Sequence, residues 1–364
     1  MFEKLWDVFV DGCHALFVPL IYVYYAIASS LFLNSAASDA IGLERTGDVF
    51  LAPFQYVFCG QLATPEGEGK WVYTQRFDYE NYFWIKTGAA VILLPISTAI
   101  GAAIKGLAYL CPTCQQQMEE RNASYVSAEI RSNLETYKKW GIKLEPPESF
   151  TPQKHQRRPG DESHLRVEKE ALKAIGSLLT KAQIPWWIDC GTCLGAYRYG
   201  GVIPWDEDID VAVLEPDFDN VRRALLELDP EKYLLQDWSG RLNPHNYFKV
   251  YIKQTGTLVD IYHFAIEPKT KMLRYILSLE TSSIFPEWWK IRERRFLVPV
   301  SFDTVFPLKK TLFDGIEVYI PNDPAKYLQR YYGENLDPAK VYDPTTGRYE
   351  KALNHPYWQR QYAH

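Results

Sequence analysis

Three carboxylates at alternate positions are the residues of this chain whose type and spacing could do chemistry. Asp206, Asp208 and Asp210 stand at the start of the apolar run Ile209–Leu214. Side chains two residues apart lie on one face of an extended strand, so Asp208 and Asp210 point the same way, and Asp206 joins them if the strand includes it. A divalent cation such as Mg²⁺ would relieve their repulsion, because it binds carboxylates together with water and substrate phosphate. The alternative is a solvated acidic loop before a buried strand.

A glycine–threonine pair upstream of the acids is the second candidate. Trp186–Ile188 predicts a short buried strand, and residues 194–197 predict a short helix that ends at Gly200. Gly191 and Thr192 fall between them, where backbone N–H groups at a helix N-terminus bind phosphate oxygens well. The alternative is an ordinary tight turn. A metal that bridges phosphates needs such a phosphate site nearby, so the acids and the turn support one another.

A third carboxylate stands alone in an apolar run further along the chain. The run Leu258–Phe264 has the composition of a strand, and Asp260 lies in its middle. A carboxylate buried there without a partner is unfavourable, so metal ligation would explain it. The alternative is an aspartate at a sheet edge that faces water. Lys249, on the predicted strand Tyr247–Ile252, either faces the phosphates or lies on a solvated strand face.

These motifs resemble the signature of the LicD and fukutin-related family. The resemblance rests on the spacing of Gly-Thr, Gly-Ala-x-Arg and Trp-Asp-x-Asp-x-Asp within residues 189–211. Closing segments of the same kind occur at Phe306–Leu308, Phe313–Gly315, Val318–Pro321 and Tyr327–Gly333. The resemblance covers roughly residues 165–345. It implies an α/β (α+β) fold, with a nucleotidyltransferase-like mixed β-sheet flanked by helices.

The resemblance implies transfer of a phospho-alcohol, such as phosphocholine or a polyol phosphate. The donor would be a CDP-linked compound and the acceptor a glycan or glycolipid. Asp208 and Asp210 would bind Mg²⁺ or Mn²⁺, which neutralises the developing phosphate charge. Asp260 would be a further ligand or the base that takes the acceptor hydroxyl proton. Asp206 would be an additional ligand or a residue that supports the ligands.

The same resemblance assigns the phosphate contacts. Gly191 and Thr192 would hold the donor phosphates. Arg198 would pair with a phosphate or with the acidic cluster, because its rigid fork suits either. The alternative for Arg198 is a structural ion pair with Asp189 or Asp206.

Two apolar stretches precede these motifs. Residues 12–38 carry no Asp, Glu, Lys or Arg, and their centre, residues 15–33, is about long enough to span a bilayer as a helix. A second stretch at 88–110 is long enough to span a bilayer if Lys105 extends its ammonium group to the lipid headgroups. Two spans would return the chain to its starting side, whereas the alternative is a pair of buried helices in a soluble domain. Residues 35–87 are expected to form a small globular loop.

We therefore expect three regions along the chain. They are an N-terminal region at 1–115 with two candidate transmembrane helices, a charged helix and Pro-rich linker at 116–162, and a catalytic domain at 163–364. Asp161 or Ser163 would cap the first helix of that domain. Lysines and arginines scatter over both sides of the spans, so they set no orientation. A CDP-linked donor favours a cytoplasmic catalytic domain in a bacterium and one in the Golgi lumen in a eukaryote.

Charge and cysteine spacing argue against a nucleic-acid-binding protein and against a zinc site shared by the cysteine pairs. The net charge is −5, so the chain has no general affinity for nucleic acid. Cys111–Cys114 and Cys190–Cys193 are both C-x-x-C pairs, but about 80 residues separate them, which is too far for the usual zinc site. We expect reduced, free thiols.

The sequence thus predicts a membrane-anchored phosphotransferase that uses Mg²⁺ or Mn²⁺. Two alternatives remain open. One is a nucleotidyltransferase that attaches a nucleoside monophosphate to a small molecule or a protein. The other is a membrane scaffold without activity. Phospho-alcohol transfer would release CMP, whereas nucleotide transfer would release pyrophosphate.

Overall fold

The computed structural model describes residues 42–59, 83–126, 130–131, 133–237, 245–276 and 294–359. Within this part, the chain forms a group of N-terminal helices followed by a mixed α/β unit. The predicted span at 15–33 lies outside the described residues, so it stays a prediction.

Helices make up the N-terminal part that the structure describes. They are α1 (Gly42–Cys59), α2 (Phe83–Leu110) and α3 (Pro112–Val126). Within the predicted globular loop at 35–87, residues 42–59 form α1, a helix packed against α2. Residues 35–41 and 60–82 lie outside the described residues, so the prediction is untested there.

Two glycines and one ion pair join α1 to α2. A Cβ atom on Gly101 would lie 2.9 Å from the Gly47 carbonyl oxygen, so the helix backbones approach closely at this point. Small residues permit such an approach between helices in lipid. Lys105 of α2 forms an ion pair with Asp48 of α1, which is 6% exposed. The charge of Lys105 is therefore held between the two helices and is not directed towards lipid headgroups.

α2 is the one helix among the described residues that is long and apolar enough to cross a membrane. Its apolar stretch, Gly88–Leu110, coincides with the second predicted span. Of its most apolar segment of 18 residues, 17% is buried. Its outward-facing apolar side chains are Val91, Ile92, Ile96, Ile100, Leu107 and Leu110. Insertion of this helix in a membrane stays a prediction.

Seven strands of the described residues form one mixed sheet. They are β1 (Trp186–Ile188), β2 (Ile209–Leu214), β3 (Tyr233–Asp237), β4 (Tyr247–Ile252), β5 (Leu258–Glu267), β6 (Met272–Tyr275) and β7 (Val300–Ser301). Their order is β1-β2-β5-β4-β3, with β6 beside β5 and β7 beside β6. β2 and β5 run parallel, and the other neighbours run antiparallel. The predicted strands in the site motifs are confirmed.

Helices and two separate hairpins surround this sheet. The helices are α4 (Leu134–Lys139), α5 (Arg166–Lys181), α6 (Cys190–Tyr199), α7 (Phe218–Leu225), α8 (Phe302–Val305) and α9 (Pro324–Tyr332). The hairpins pair β8 (Lys309–Phe313) with β9 (Ile316–Ile320), and β10 (Lys340–Asp343) with β11 (Arg348–Lys351). The fold is therefore mixed α/β with a central sheet flanked by helices, as the sequence predicted.

Different helices cover the two faces of the sheet. Successive side chains of a strand point to opposite faces. Trp186 of β1 accordingly packs under α5, so closely that a Cβ atom on Gly176 would lie 2.6 Å from its ring. Trp187 points the other way and donates its Nε1–H to the Tyr327 hydroxyl of α9 at 3.2 Å. The face on the α9 side is the one that carries the acids.

The start of α5 differs from the prediction. Its N-cap residue is Leu165, which makes no side-chain capping bond. Asp161 and Ser163 belong to a separate 3₁₀ turn. The Asp161 carboxylate instead accepts hydrogen bonds from Arg158 at 2.8 Å and from the Tyr349 hydroxyl at 2.6 Å. The predicted caps are wrong, because the Asp161 carboxylate binds Tyr349 of the β10–β11 hairpin and Arg158, which precedes the 3₁₀ turn.

Asp314, between β8 and β9, connects the turn after α6 to α5. Its carboxylate accepts hydrogen bonds from Arg157, from Lys169 Nζ at 3.0 Å and from the Val202 N–H at 3.0 Å. Gly201 passes so close to this carboxylate that a side chain would not fit there. Burial on its own would raise the pKa of Asp314, but these hydrogen bonds outweigh it and hold the pKa below its ordinary value.

Asp314→Asn should destabilise the fold by about 3 kcal/mol at neutral pH, because two largely buried cations lose their counter-charge. A carboxylate with a lowered folded pKa stabilises the fold above its unfolded pKa, and this contribution is lost as the pH falls through the folded pKa. The stability difference between wild type and variant should therefore be full at pH 7 and narrow below about pH 4. Thermal unfolding followed by circular dichroism at several pH values measures it.

Asp303→Asn is the matched control for this prediction. Asp303 forms an exposed ion pair with Lys143 at 2.9 Å, and pairs of this kind contribute little. Equal losses in the two variants, or a difference that does not change with pH, would contradict the account of Asp314.

Candidate active site

The register of three neighbouring strands brings the acids together. Asp210 of β2 lies opposite Asp260 of the parallel strand β5, and Lys249 of the antiparallel strand β4 lies opposite Asp260 on its other side. Residues directly opposite one another share a face of the sheet. Asp208, just before β2, reaches the same place: carboxylate oxygens of Asp208, Asp210 and Asp260 lie within 4.8 Å of one another. We call these three residues the acidic cluster.

Burial and partners set the charge balance of the acidic cluster. Asp260 is fully buried, and Asp210 is 7% exposed. The buried Lys249 donates from Nζ to Asp260 Oδ1 at 2.7 Å, and the Tyr262 hydroxyl donates to Oδ2 at 3.3 Å. The Lys249 ammonium group offsets part of the negative charge of the three carboxylates, and carboxylates gathered in this way suit a divalent cation.

The alternatives that the sequence left open for two of these residues are wrong. β5 lies between β2 and β4, so Asp260 is not at a sheet edge facing water. Lys249 is 4% exposed, so it does not lie on a solvated strand face. Its contact with donor phosphates stays a prediction.

Asp206 lies beside the acidic cluster and not within it. β2 begins at Ile209, so the alternation that would align three aspartates does not extend back to Asp206. Its carboxylate lies against the backbone of Gly191: a Cβ atom there would be 2.5 Å from Asp206 Oδ2. His164 donates from Nε2 to its carbonyl oxygen at 2.7 Å. The structure therefore places Asp206 where it supports the first turn of α6, and metal ligation by Asp206 stays a prediction.

The first turn of α6 contains the predicted phosphate site. Asp189 is the N-cap, and its Oδ1 accepts from the Cys190 N–H at 2.7 Å. Thr192 accepts from the Asp210 N–H on its Oγ1 at 2.9 Å. The hydroxyl of Thr192 thus fixes Asp210 in place, a role that sequence reasoning missed. Phosphate binding by the N–H groups of Gly191 and Thr192 stays a prediction. The predicted strand and helix are present, but Gly191 and Thr192 lie inside the first turn of α6 and not in a separate turn before it.

Arg198 does not pair with the acids in the described part of the chain. It lies in the last turn of α6, about 12 Å along the helix axis from the N-terminus. Its guanidinium donates from Nε to the Leu336 carbonyl at 2.5 Å and from Nη2 to the Asp337 carbonyl at 2.7 Å. The predicted pairing with the acidic cluster is wrong, as is the alternative ion pair with Asp189 or Asp206. The side chain holds the segment after α9 against α6 instead.

Sequence reasoning missed two residues near the acids. Burial, and the nearby Cys190, Asp206 and Asp210, raise the pKa of Tyr332 at the end of α9, whereas the charge of Arg295 lowers it. The guanidinium carbon of Arg295 lies 5.5 Å from the Tyr332 ring centroid. Its Nε is buried without a hydrogen-bond partner among the described residues. Arg295 therefore places a positive charge near Cys190, at the N-terminus of α6. In the sequence, the only mark of this residue is that it follows another arginine.

Four cysteines, Cys111, Cys114, Cys190 and Cys193, are free thiols, as predicted. Cys190 and Cys193 are buried, and burial raises the pKa of both well above its ordinary value. Burial and the neighbouring Cys111 raise the pKa of Cys114 to about 12. A thiol that stays protonated is a poor nucleophile and a poor metal ligand, so none of these residues adds redox chemistry to the site.

Residues 183–323 match the model of the family described as LicD/FKTN/FKRP, nucleotidyltransferase domain. We refer to this segment, which is similar to that family, as the LicD-type domain. It contains the acidic cluster, the first turn of α6 and Lys249, and it confirms the resemblance that the motifs predicted. The helices α1 to α5 and the residues from Pro324, where α9 begins, fall outside the match.

Curated relatives of several organisms align with about half of this chain. An uncharacterized protein of Rickettsia typhi is 31% identical over 175 residues, which are 48% of this chain and 48% of that protein. The ribitol-5-phosphate transferase FKTN of Mus musculus is 25% identical over 183 residues, 48% of this chain and 34% of its own length. The ribitol 5-phosphate transferase FKRP of Homo sapiens is 36% identical over 182 residues, which are 47% of this chain and 32% of that protein. The chain spans about half or less of the length of these relatives.

Asp208→Asn should abolish stabilisation of the chain by Mg²⁺. A ligand that binds the folded state alone raises its stability by about 2.7 kcal/mol at a hundred times its Kd. Wild type should therefore melt at a higher temperature with Mg²⁺, and the variant should not. Differential scanning fluorimetry with and without Mg²⁺ measures this difference.

Glu207→Gln is the matched control, because Glu207 is the exposed neighbour of Asp208 and lies outside the acidic cluster. It should keep the full response to Mg²⁺. Loss of the response in both variants, or in neither, would count against the predicted metal site.

Proposed function

We propose that this chain is a metal-dependent transferase that moves a phospho-alcohol from a CDP-linked donor to a hydroxyl group of a glycan or glycolipid. The observation that carries the proposal is the acidic cluster, whose carboxylate oxygens lie within 4.8 Å of one another beside the first turn of α6. The LicD-type domain and its similarity to two ribitol 5-phosphate transferases support a polyol phosphate as the transferred group.

The acidic cluster fits a hard divalent cation. Its donor set is three carboxylates, which suit Mg²⁺ or Mn²⁺, and the partial exposure of Asp208 leaves one side open to substrate. Asp208, Asp210 and Asp260 would hold the ion. When bound, the ion would neutralise charge on the phosphate oxygens.

The first turn of α6 and Arg295 would bind the donor diphosphate. Backbone N–H groups of Gly191 and Thr192 stand at a helix N-terminus, where the helix dipole favours anions. Arg295 is a nearby cation whose planar fork matches phosphate oxygens. Both features lie on the same side as the acidic cluster, so the diphosphate would be held against it.

The transfer itself exchanges one P–O bond for another. The acceptor hydroxyl oxygen forms a bond to the phosphorus that carries the alcohol, the bond from that phosphorus to the CMP oxygen breaks, and CMP leaves with the bonding electron pair. The hydroxyl proton passes to a carboxylate. Complete burial and the hydrogen bonds from Lys249 and Tyr262 favour Asp260 as a ligand over Asp260 as that base. The half-buried Asp208 is the member of the cluster that an acceptor can reach.

Product analysis tests the proposal directly. The purified chain would be incubated with Mg²⁺, CDP-ribitol or CDP-choline, and glycan or glycolipid acceptors, and CMP and pyrophosphate would be measured. CMP release that needs an acceptor and is lost in Asp210→Asn supports the proposal. Pyrophosphate release from a nucleoside triphosphate would favour the nucleotidyltransferase alternative. Absence of any nucleotide binding would favour the scaffold.

Arg295→Ala should raise the KM for the CDP-linked donor by about tenfold or more, because a charge-assisted contact to phosphate contributes about 1.5–3 kcal/mol. Arg294→Ala is the matched control, since Arg294 is the exposed neighbour in the same turn. It should leave the KM within a factor of about two. Initial rates at varied donor concentration measure both, and equal KM values for the two variants would remove Arg295 from the donor site.

We further propose that α2 lies in a membrane and keeps the domain near a lipid-linked acceptor. Its support is the exposed apolar face and the ion pair of Lys105 with Asp48, which hides the one charge of the apolar stretch. The orientation of the domain, cytoplasmic or lumenal, follows the compartment of the CDP-linked donor.

Ile96→Cys should be protected from N-ethylmaleimide in native membranes. The reagent crosses membranes but needs a thiolate, which forms only in water, and Ile96 is 70% exposed on the apolar face of α2. Leu353→Cys is the control, because Leu353 is 80% exposed in the C-terminal part. Peptide mass spectrometry reads both sites. Equal labelling of the two cysteines would place α2 in water.

A further inference from the structure

A carboxylate that is fully buried stands directly before the predicted phosphate site. Asp189 caps α6 through its Oδ1, while its Oδ2 has no hydrogen-bond partner among the described residues. Burial raises the pKa of Asp189, and the charge of Arg330 and the Tyr327 hydroxyl act against this. A cap needs only one acceptor oxygen, which a neutral asparagine or serine supplies at lower cost. The carboxylate therefore calls for a second explanation.

α9 supplies the partners of this carboxylate. The Tyr327 hydroxyl donates to Asp189 Oδ1 at 2.8 Å and accepts from Trp187 Nε1 at 3.2 Å. The Arg330 guanidinium carbon lies 4.5 Å from the Tyr327 ring centroid and 4.1 Å from that of Tyr331. α6 and β1 are thereby joined to α9 through one buried cluster, which we call the α9 network.

Arg330 of the α9 network also contacts the segment that carries Arg295. Arg330 donates from Nη1 to the Val298 carbonyl at 2.9 Å and from Nη2 to the Tyr331 hydroxyl. Val298 follows the 3₁₀ turn that carries Arg295. The same helix thus contacts both parts of the predicted donor site, the first turn of α6 and the segment of Arg295.

A shift of Asp189 would propagate to the predicted phosphate site. Gly191 and Thr192 follow it within the same helical turn, so their N–H groups move with the cap. Thr192 Oγ1 binds the backbone N–H of Asp210 and not its carboxylate, and the pairing of β2 with β5 holds the acidic cluster, so the cluster keeps its place. A misplacement of about 1 Å at such a site can cost up to a hundredfold in rate or affinity.

We propose that Tyr327 and Arg330 are positioning residues for the donor: acting through Asp189, they hold the first turn of α6 in the orientation that binds the donor phosphates. The inference rests on the proposed function and deepens it. Neither residue touches the donor. They act on the affinity for the diphosphate and leave the acidic cluster, and therefore Mg²⁺ binding, in place.

Tyr327→Phe tests the proposal, because it removes one hydroxyl and keeps the ring. The KM for the CDP-linked donor should rise about tenfold, while kcat stays within about threefold and the Mg²⁺-induced rise in melting temperature is unchanged. A merely structural loss would lower the active fraction, and hence kcat, without raising the KM.

Tyr137→Phe is the matched control. Tyr137 is also fully buried and donates its hydroxyl to a buried carboxylate, Asp217 Oδ2, at 2.6 Å, on the α4 side of the domain. It should lower the melting temperature by a similar amount and leave the donor KM unchanged. A donor KM that rises equally in Tyr327→Phe and Tyr137→Phe, or in neither, would overturn the inference.

Arg330 variants keep the test decisive if Tyr327→Phe does not fold. Arg330→Lys retains the charge near Asp189, and Arg330→Gln does not, so the donor KM should rise less in the lysine variant. Equal KM values in the two Arg330 variants would overturn the role of the charge. If wild type itself neither binds a CDP-linked donor nor releases CMP, the proposed function fails, and that result differs from a normal wild type with unaffected variants.

Discussion

Repulsion between carboxylates on adjacent strands is the constraint on which the rest of this structure depends. The parallel pairing of β2 with β5 sets Asp210 opposite Asp260, and the position of Asp208 adds a third charge within 4.8 Å. Folding alone gains nothing from this arrangement, because burial of like charges is unfavourable. Lys249 offsets part of the cost from β4. The fold holds the acids together because a rigid sheet fixes the register, and a divalent cation bound there would reduce their repulsion.

The elements around the acidic cluster work as its frame. Thr192 connects the first turn of α6 to β2, Asp189 connects it to α9, and Asp206 lies against it at Gly191. Glycine is needed at position 191 because a side chain would collide with the Asp206 carboxylate. Asp314 holds the far end of α6 in a similar way through the turn at Val202. Both ends of one short helix are thus fixed by buried carboxylates, which suits a helix whose N-terminus has to present N–H groups in a constant position.

Sequence reasoning succeeded where a local pattern carries the information. The strands around Asp210, Asp260 and Lys249 and the helix after Gly191 follow from apolar runs and turn residues. It failed on the extent of a pattern and on side chains that reach across the fold. Asp206 keeps the alternate spacing but precedes β2, so spacing did not give its direction. Arg198 reaches backbone carbonyls after α9, a contact between residues nearly 140 positions apart that no local motif encodes.

The sequence by itself determined the type of chemistry: three aspartates near a Gly-Thr turn, in a pattern that resembles one family of transferases, together with an apolar helix in front of them. Only the tertiary structure decided which acids meet, because strand order and register are set by pairing between segments distant in the chain. It also decided that Lys249 is buried against Asp260, that Arg295 lies near α6, and that α9 holds Asp189. Electrostatic partners are chosen by proximity in space, and burial then makes each of those pairings strong.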